Sequence, residues 1–290
     1  MKLSVGRLLI ISRPFWWVNT GVPFLAGALL ANSKLGVAHF VGFVYFLIFY
    51  NLLMYGVNDI YDYESDIKNP RKNGSIDGSV LDLALHRKLW VVMVSTSLPF
   101  LAYFIVIGNL ASSIFLAMMI FMVFAYSVRG LRFKERPIID SLTSAFHYAS
   151  PFLYGLLLMG QIGDWWAVFV GFYLWVCGNH AFGAIQDIIP DKNAGIASIA
   201  TRLGSQSTLY FVVAMYGLSM LSFPLFFGAV GLVGSLAVVP YLVFALRCLP
   251  DRRRSASPRF SRYWRYFLYT NYVMGALGTM TVVVYLAIIR

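Results

Sequence analysis

The residues richest in chemistry fall in one short stretch, Gly56-Val57-Asn58-Asp59-Ile60-Tyr61-Asp62-Tyr63-Glu64-Ser65-Asp66. Asn58, Asp62 and Asp66 stand at i, i+4 and i+8, and Asp59 lies three residues before Asp62. On a continuing helix these side chains line one face. Carboxylates this close repel one another and raise each other's pKa, so the patch needs a cation or a cationic partner. A second stretch, Gln186-Asp187-Ile188-Ile189-Pro190-Asp191, repeats the order amide, Asp, Ile, then a further Asp. Carboxylates with an amide oxygen are hard ligands suited to Mg²⁺, an ion that takes one or two carboxylates beside phosphate oxygens. The candidate metal ligands are Asn58, Asp59, Asp62, Asp66, Asp187 and Asp191. Two such clusters facing each other could hold two or more ions with a diphosphate between them.

Cations follow each cluster: Arg71 and Lys72 after the first, Arg129, Arg132 and Lys134 in the segment between, Lys192 and Arg202 after the second. Arg and Lys pair strongly with phosphate oxygens, so these seven are the candidate diphosphate ligands. The plainer alternative is that the acids form salt bridges with Lys68, Arg71, Lys72, Lys192 and Arg202. That accounts for the charges but not for the pattern repeated at two matched places.

The frame around these stretches is apolar. The chain has 290 residues, 59% hydrophobic and 12% charged, with a mean hydropathy of +0.72. A soluble domain of this length carries about twice that charged fraction. The composition is that of an integral membrane protein. Its net charge of +11 then reflects Lys and Arg gathered in cytoplasmic loops and excludes a nucleic-acid partner. Cys177 and Cys248 lie in or beside apolar runs and read as small buried hydrophobes.

A span needs about 20 apolar residues. Candidates fall near 15–32, 39–57, 89–107, 110–127, 138–159, 165–185, 208–228, 231–247 and 266–289. The runs 89–127 and 208–247 are each about 60 Å of helix at 1.5 Å per residue, so each must fold into a hairpin. The fold class is therefore expected to be all-α, a polytopic membrane helical bundle of nine transmembrane helices. With the N-terminus cytoplasmic, the inner segments hold 21 Lys/Arg and the outer ones two, Lys34 and Arg290. That asymmetry predicts a multi-pass protein of the cell membrane with its acid-bearing loops cytoplasmic and its C-terminus outside. The acidic stretches follow spans two and six, four spans apart, as in an internal duplication. A single domain over 1–290 is expected, with two pseudo-repeated four-helix halves and a final helix. The run Asp251-Arg252-Arg253-Arg254-Ser255 reads as a loop near anionic lipid.

Other polar residues fall inside spans. His147 and His180 lie within spans five and six, and intramembrane ionisable groups are functional candidates. Asn51 and Tyr55 share a helical face with Asn58 and Asp62. These four are the candidate walls of a substrate pocket.

Asn58-Asp59-x-x-Asp62-x-x-x-Asp66 resembles the first aspartate-rich motif of the UbiA superfamily of intramembrane prenyltransferases, and Asp187-x-x-x-Asp191 the second. The stretch from Tyr126-Ser127 to Lys134-Glu135-Arg136-Pro137 is similar to an inner loop of that family. Within it, Ser12-Arg13-Pro14, Trp17-Val18-Asn19-Thr20, Tyr61 to Ile67, Phe133 to Pro137 and Ser198-Ile199-Ala200-Thr201 look most like the lycopene elongases. The resemblance implies a UbiA-like fold and Mg²⁺ as cofactor. Its implied substrates are a prenyl diphosphate, dimethylallyl by this likeness, and a lipophilic acceptor, lycopene or a related carotenoid, met in the lipid. Asp62, Asp187 and Tyr126 become the catalytic candidates, Tyr126 through attraction of its ring for an allylic cation. One departure is Pro190 inside the second motif, which removes a backbone donor and threatens the shared helical face of Asp187 and Asp191. Rival expectations are an aromatic acceptor, as in quinone biosynthesis, a cation-coupled transporter, and an inactive assembly subunit. Protein partners are not indicated by the sequence.

Overall fold

The structure is a computed structural model that describes residues 3–32, 34–67, 73–74, 78–160, 162–250 and 258–289. Lys68, Arg71 and Lys72 lie outside these residues. The described chain is helical, apart from one antiparallel ladder in which Asn73–Gly74 (β1) pairs with Gly78–Ser79 (β2). It forms two compact units, residues 1–132 with 150–162, and 133–149 with 163–290.

The first unit contains α1 (Val5–Ser12), α2 (Val18–Ala31), α3 (Val37–Tyr61), α4 (Tyr63–Asp66), α5 (Leu83–Ile107), α6 (Leu110–Ser127) and the second half of α7 (Ile139–Leu158). Its core is aromatic. Phe24 stacks on Phe46 at 4.9 Å between centroids, and Tyr154 meets Phe46 at 5.6 Å and Phe104 at 5.8 Å. Helix α3 carries a π turn over Tyr45–Phe49, which takes carbonyls off the regular ladder. In lipid such groups must be satisfied from within the protein. Thr20 Oγ1 donates to the Phe46 carbonyl at 2.7 Å, and Asn51 Nδ2 donates to the Phe46 and Leu47 carbonyls at 2.9 and 3.0 Å.

Between helices in lipid, packing and close approach replace the hydrophobic effect, so small residues mark the crossings. Gly27 faces the Phe152 carbonyl, and Gly155 lies against the Phe24 carbonyl and the Ala28 amide, so α2 and α7 touch backbone to backbone. The hairpin expected at 89–127 is present. Gly108 ends α5, the Asn109 side chain caps α6 by accepting from Ser112 N–H at 2.9 Å, and Trp90 stacks on Phe124 at 6.0 Å across the pair.

The second unit contains the first half of α7, then α8 (Trp166–Ala184), α9 (Ile188–Ala194), α10 (Ile199–Phe226), α11 (Gly231–Cys248) and α12 (Pro258–Ile289). Helices α8 and α10 pack along their length. Ser219 Oγ donates to the Gly171 carbonyl at 2.7 Å, and the Tyr216 ring occupies the space a side chain at Gly178 would fill. The hairpin expected at 208–247 turns at Gly228, whose φ of 55° is left-handed. Ser235 Oγ then reaches back to the Met220 carbonyl at 2.6 Å. Helix α10 starts earlier than the span at 208–228, because Ser198 and Thr201 form a capping box; a second break at Gly204, φ 79°, separates this first turn from the apolar run. Both cysteines are buried, as expected.

Among the described residues six helices are long and apolar enough to cross a membrane: Val37–Tyr61, Leu83–Ile107, Leu110–Ser127, Gly163–Ala194, Ile199–Phe226 and Gly231–Cys248. The remaining expected spans coincide with α2, α7 and α12. Helix α2 has only 14 residues, and the other two carry polar residues at one end. The count of nine therefore stands as an expectation.

The backbone crossing predicts a test. A Cβ at Gly155 would lie 2.5 Å from the Phe24 carbonyl oxygen and 2.7 Å from the Ala28 nitrogen, whereas nothing lies within 4 Å of one at Gly275. Gly155→Ala should cost about 1–3 kcal/mol and lower the thermal midpoint in detergent by several degrees. Gly275→Ala should leave it level or raised.

Candidate functional site

Helix α3 brings a row of polar residues to its C-terminal end. Asp59, Asp62 and Asp66 are only 2%, 8% and 6% exposed, a degree of burial rare for carboxylates without compensation. Two arginines distant in sequence face Asp59 and Asp62. Arg13 donates through Nη2 to Asp59 Oδ1 at 2.7 Å, and its guanidinium lies 4.1 Å above the Tyr55 ring. Tyr55 and Asp59 are i and i+4 on α3, so one arginine covers both. Arg132 Nη2 stands 3.9 Å from Asp62 Oδ1. Arg13 and Arg132 have φ of 51° and 39°, a region uncommon for non-glycine residues. Gly130, at φ 97°, helps shape the second turn. Strained backbone of this kind persists where the surroundings hold it, and it concentrates at functional sites. Ser127, in the last turn of α6, donates through its hydroxyl to Asn58 Oδ1 at 3.2 Å, and Tyr126 precedes it in the chain.

In the second unit Asp187 is half-buried and Asp191 follows one turn on. Asp191 lies within electrostatic reach of Asp187, Lys134 and Asp140, with the Ser198 hydroxyl close by. Asp140 is fully buried at the start of α7. Its Oδ2 accepts from the Ile199 N–H at 2.7 Å and its Oδ1 from the Ser141 N–H at 2.8 Å. This carboxylate ties the start of α7 to the start of α10, which carries Ser198. Ser141 Oγ lies 3.1 Å from His180 Nδ1, linking the histidine to the same network. His147 is buried about two turns deeper in α7, within electrostatic reach of His180.

The two motifs share one local geometry. Asp62 has φ −98°, ψ 1°, and Asp187 has φ −92°, ψ 2°. Both sit in the bridge region, sparsely populated and frequent at active sites. Each is the N-cap of a short helix, α4 or α9, and the second aspartate of each motif is the fourth residue of that helix. An N-cap aspartate ordinarily accepts from the backbone of its own helix; neither Asp62 nor Asp187 makes that bond. Pro190 is the third residue of α9, in the first turn, where no intrahelical donor is required. The proline thus leaves the relation of Asp187 to Asp191 the same as that of Asp62 to Asp66.

The other expected residues divide by surroundings. Arg129 pairs with Glu64 at 3.2 Å, but both side chains are about three-quarters exposed or more, which makes this a weak contact. Lys192 and Arg202 are exposed near Asp191 in the chain, and Lys134 is half-buried. Asn51 is fully buried, and its amide donates to Thr20 and to the π-turn carbonyls. That places it within helix packing. Arg13, Ser127, Asp140, Ser141 and Ser198 were not among the expected site residues. Their signal is weak in sequence: Arg13 and Ser127 reach motif residues 46 and 69 positions away, and Asp140 reaches Ile199, 59 positions away.

The donor set is all oxygen, from carboxylates and one amide, which fits a hard divalent cation and not zinc or iron. Among the described residues no three His, Cys, Asp or Glu side chains gather closely enough to cage a metal by themselves. A Mg²⁺ site does not need such a cage, because water and phosphate oxygens complete it.

The family model described as "UbiA prenyltransferase family" matches residues 20–271. The chain belongs to that family. It is 38% identical over 286 residues to the lycopene elongase/hydratase of Corynebacterium glutamicum, covering 98% of both chains. It is 39% identical over 273 residues to the C(50) beta-cyclic carotenoids biosynthesis protein LbtBC of Dietzia sp. (strain CQ4), covering 93% of this chain and 63% of that one. A UbiA homolog from Archaeoglobus fulgidus bound to DMAPP and Mg2+ shares the fold, with a TM-score of 0.77 over 97% of this chain and 99% of that one at 17% identity. This UbiA-family chain is an integral membrane protein and an enzyme of the prenyltransferase class. The transporter and inactive-subunit expectations fall with that assignment.

The Arg13–Asp59 pair gives a direct test. Arg13→Ala removes one partner of a buried ion pair, which costs about 3–5 kcal/mol. Thermal unfolding in detergent should show a large fall for this variant. Adding Asp59→Asn should recover most of it.

Proposed function

We propose that this UbiA-family enzyme moves a dimethylallyl group from its diphosphate to lycopene or a related carotenoid, with Mg²⁺ as cofactor. The observation that carries the reaction is the repeated motif, in which Asp62 and Asp187 share one backbone conformation and neither carboxylate caps its own helix. The acceptor rests on the relatives named above, one of which matches along nearly its whole length.

In this reading Asn58, Asp62 and Asp66 of the first motif and Asp187 and Asp191 of the second serve one diphosphate and hold the metal. Asp59 acts through Arg13, which it fixes over Tyr55. Mg²⁺, when bound, supplies Lewis-acid stabilisation of charge on the departing diphosphate. Arg132, Lys134, Lys192 and Arg202, with Arg71 and Lys72 from the undescribed segment, add cationic groups for the same oxygens. The allylic C–O bond breaks and the terminal alkene of the acceptor forms a new C–C bond with the allylic carbon. Tyr126 offers its ring face to the developing cation, and Tyr55, His147 and His180 border the apolar substrate. A lipid-buried cavity keeps stray water from that cation. The product cation then loses a proton or captures water.

The same reading keeps a single domain of two pseudo-repeated four-helix halves and a final helix. It has nine spans, a cytoplasmic N-terminus and motif loops, and an outer C-terminus. The charge asymmetry of 21 to two supports it.

Expression in a lycopene-accumulating host supplied with the five-carbon diphosphate should give C45 and C50 pigments by mass. Activity on an aromatic acid with no carotenoid gain would overturn the acceptor and leave the reaction class standing. Asp62→Asn and Asp187→Asn should each lower turnover by about 10²-fold or more while the protein stays monodisperse. Chelation of divalent metal should stop the wild-type reaction, and added Mg²⁺ should restore it.

A further inference from the structure

The second unit has a cavity of about 400 Å³ lined by Arg247, Arg259, Arg262 and Tyr263, none of them a motif residue. Arg247 lies in the last turn of α11. Arg259 and Arg262, three residues apart in the first turns of α12, share a helical face. The Tyr263 ring is braced by Phe244 at 5.6 Å and Tyr266 at 6.1 Å, so this wall is fixed by aromatic packing.

Three guanidiniums around one cavity need counter-charge. Among the described residues none of the three has a carboxylate partner within 4.0 Å. The chain supplies little of its own nearby. From 247 to 265 there are seven arginines and one acidic residue, Asp251. Guanidinium forks match phosphate oxygens in bidentate geometry, so a phosphate ester fits the set. The flanks indicate what the phosphate is attached to. Val243 and Leu246 are exposed on α11 just before Arg247, and Tyr266, Tyr269 and Val273 are exposed on α12 just after the cavity. Apolar surface on both helices beside an anion cavity suits a headgroup whose acyl chains run along them.

We propose that this cavity binds the phosphodiester headgroup of an anionic membrane lipid. The site shares no residue with the aspartate motifs and does not depend on the reaction proposed for them. Its ligand class is a diacyl phosphatidylglycerol-type lipid, and a free phosphate lacks the acyl chains that the apolar flanks would hold.

The test is native mass spectrometry of the full chain in detergent, titrated with phosphatidylglycerol or with phosphatidylcholine of the same acyl chains. Phosphatidylglycerol should bind at least about tenfold more tightly, a difference of about 1.4 kcal/mol. The double variant Arg259→Gln/Arg262→Gln should lose that preference, and Arg265→Gln, which does not line the cavity, should keep it. Size-exclusion profiles confirm that these surface variants fold. Equal binding of the two lipids, or a preference that survives the double variant, would overturn the proposal. Displacement of the lipid by millimolar inorganic phosphate would assign the cavity to free anions and remove the lipid.

Discussion

A carboxylate at the end of an apolar helix is costly unless an opposite charge or a set of donors lies beside it. Much of the first unit's polar architecture answers that one constraint. Asp59 is almost wholly buried, and its neutralising arginine comes from the end of α1, 46 residues earlier. To deliver it, Arg13 takes a left-handed backbone before Pro14, a residue that already disfavours the right-handed helix in the position before it. Arg132 approaches Asp62 from another left-handed turn. In both places a strained dihedral, costing on the order of 1–3 kcal/mol, is offset by a charge pair that is largely shielded from water.

The second unit meets the same constraint with donors. Asp140, 0% exposed, accepts from two backbone amides. Each carboxylate oxygen thus has a backbone donor. By holding Ile199, Asp140 also sets the position of Ser198, the residue that caps α10 through Thr201. Deep in the first unit, Thr20 and Asn51 do comparable work for neutral groups, closing the carbonyls opened by the π turn of α3.

Periodicity and charge made much of this visible before any coordinates. Runs of apolar residues marked the helices, and glycines at 108 and 228 marked the turns, because apolar length and left-handed or extended glycine are local properties. The acid motifs were visible for the same reason, their members being separated by three or four residues. What the sequence could not show was pairing at long range. Nothing local links Arg13 to Asp59 or Asp140 to Ile199. Asn51 shares the motif face by helical spacing, but the bond from its amide to Thr20, 31 residues away, has no local signal in the chain.

Pro190 sharpens the comparison of the two motifs. A proline inside a helix ordinarily breaks it by removing a donor and crowding the preceding turn. Here the break already exists at Asp187, in the same bridge conformation that Asp62 adopts without any proline nearby. The proline falls where a new helix has just begun and its missing N–H has no partner to lose. It therefore stabilises the interruption that the first motif achieves by other means. Two sequences that differ at this point reach one backbone geometry, an aspartate at the cap and another four residues on. In neither motif is the cap carboxylate bonded to its own helix, so the shared geometry does not come from an ordinary N-cap.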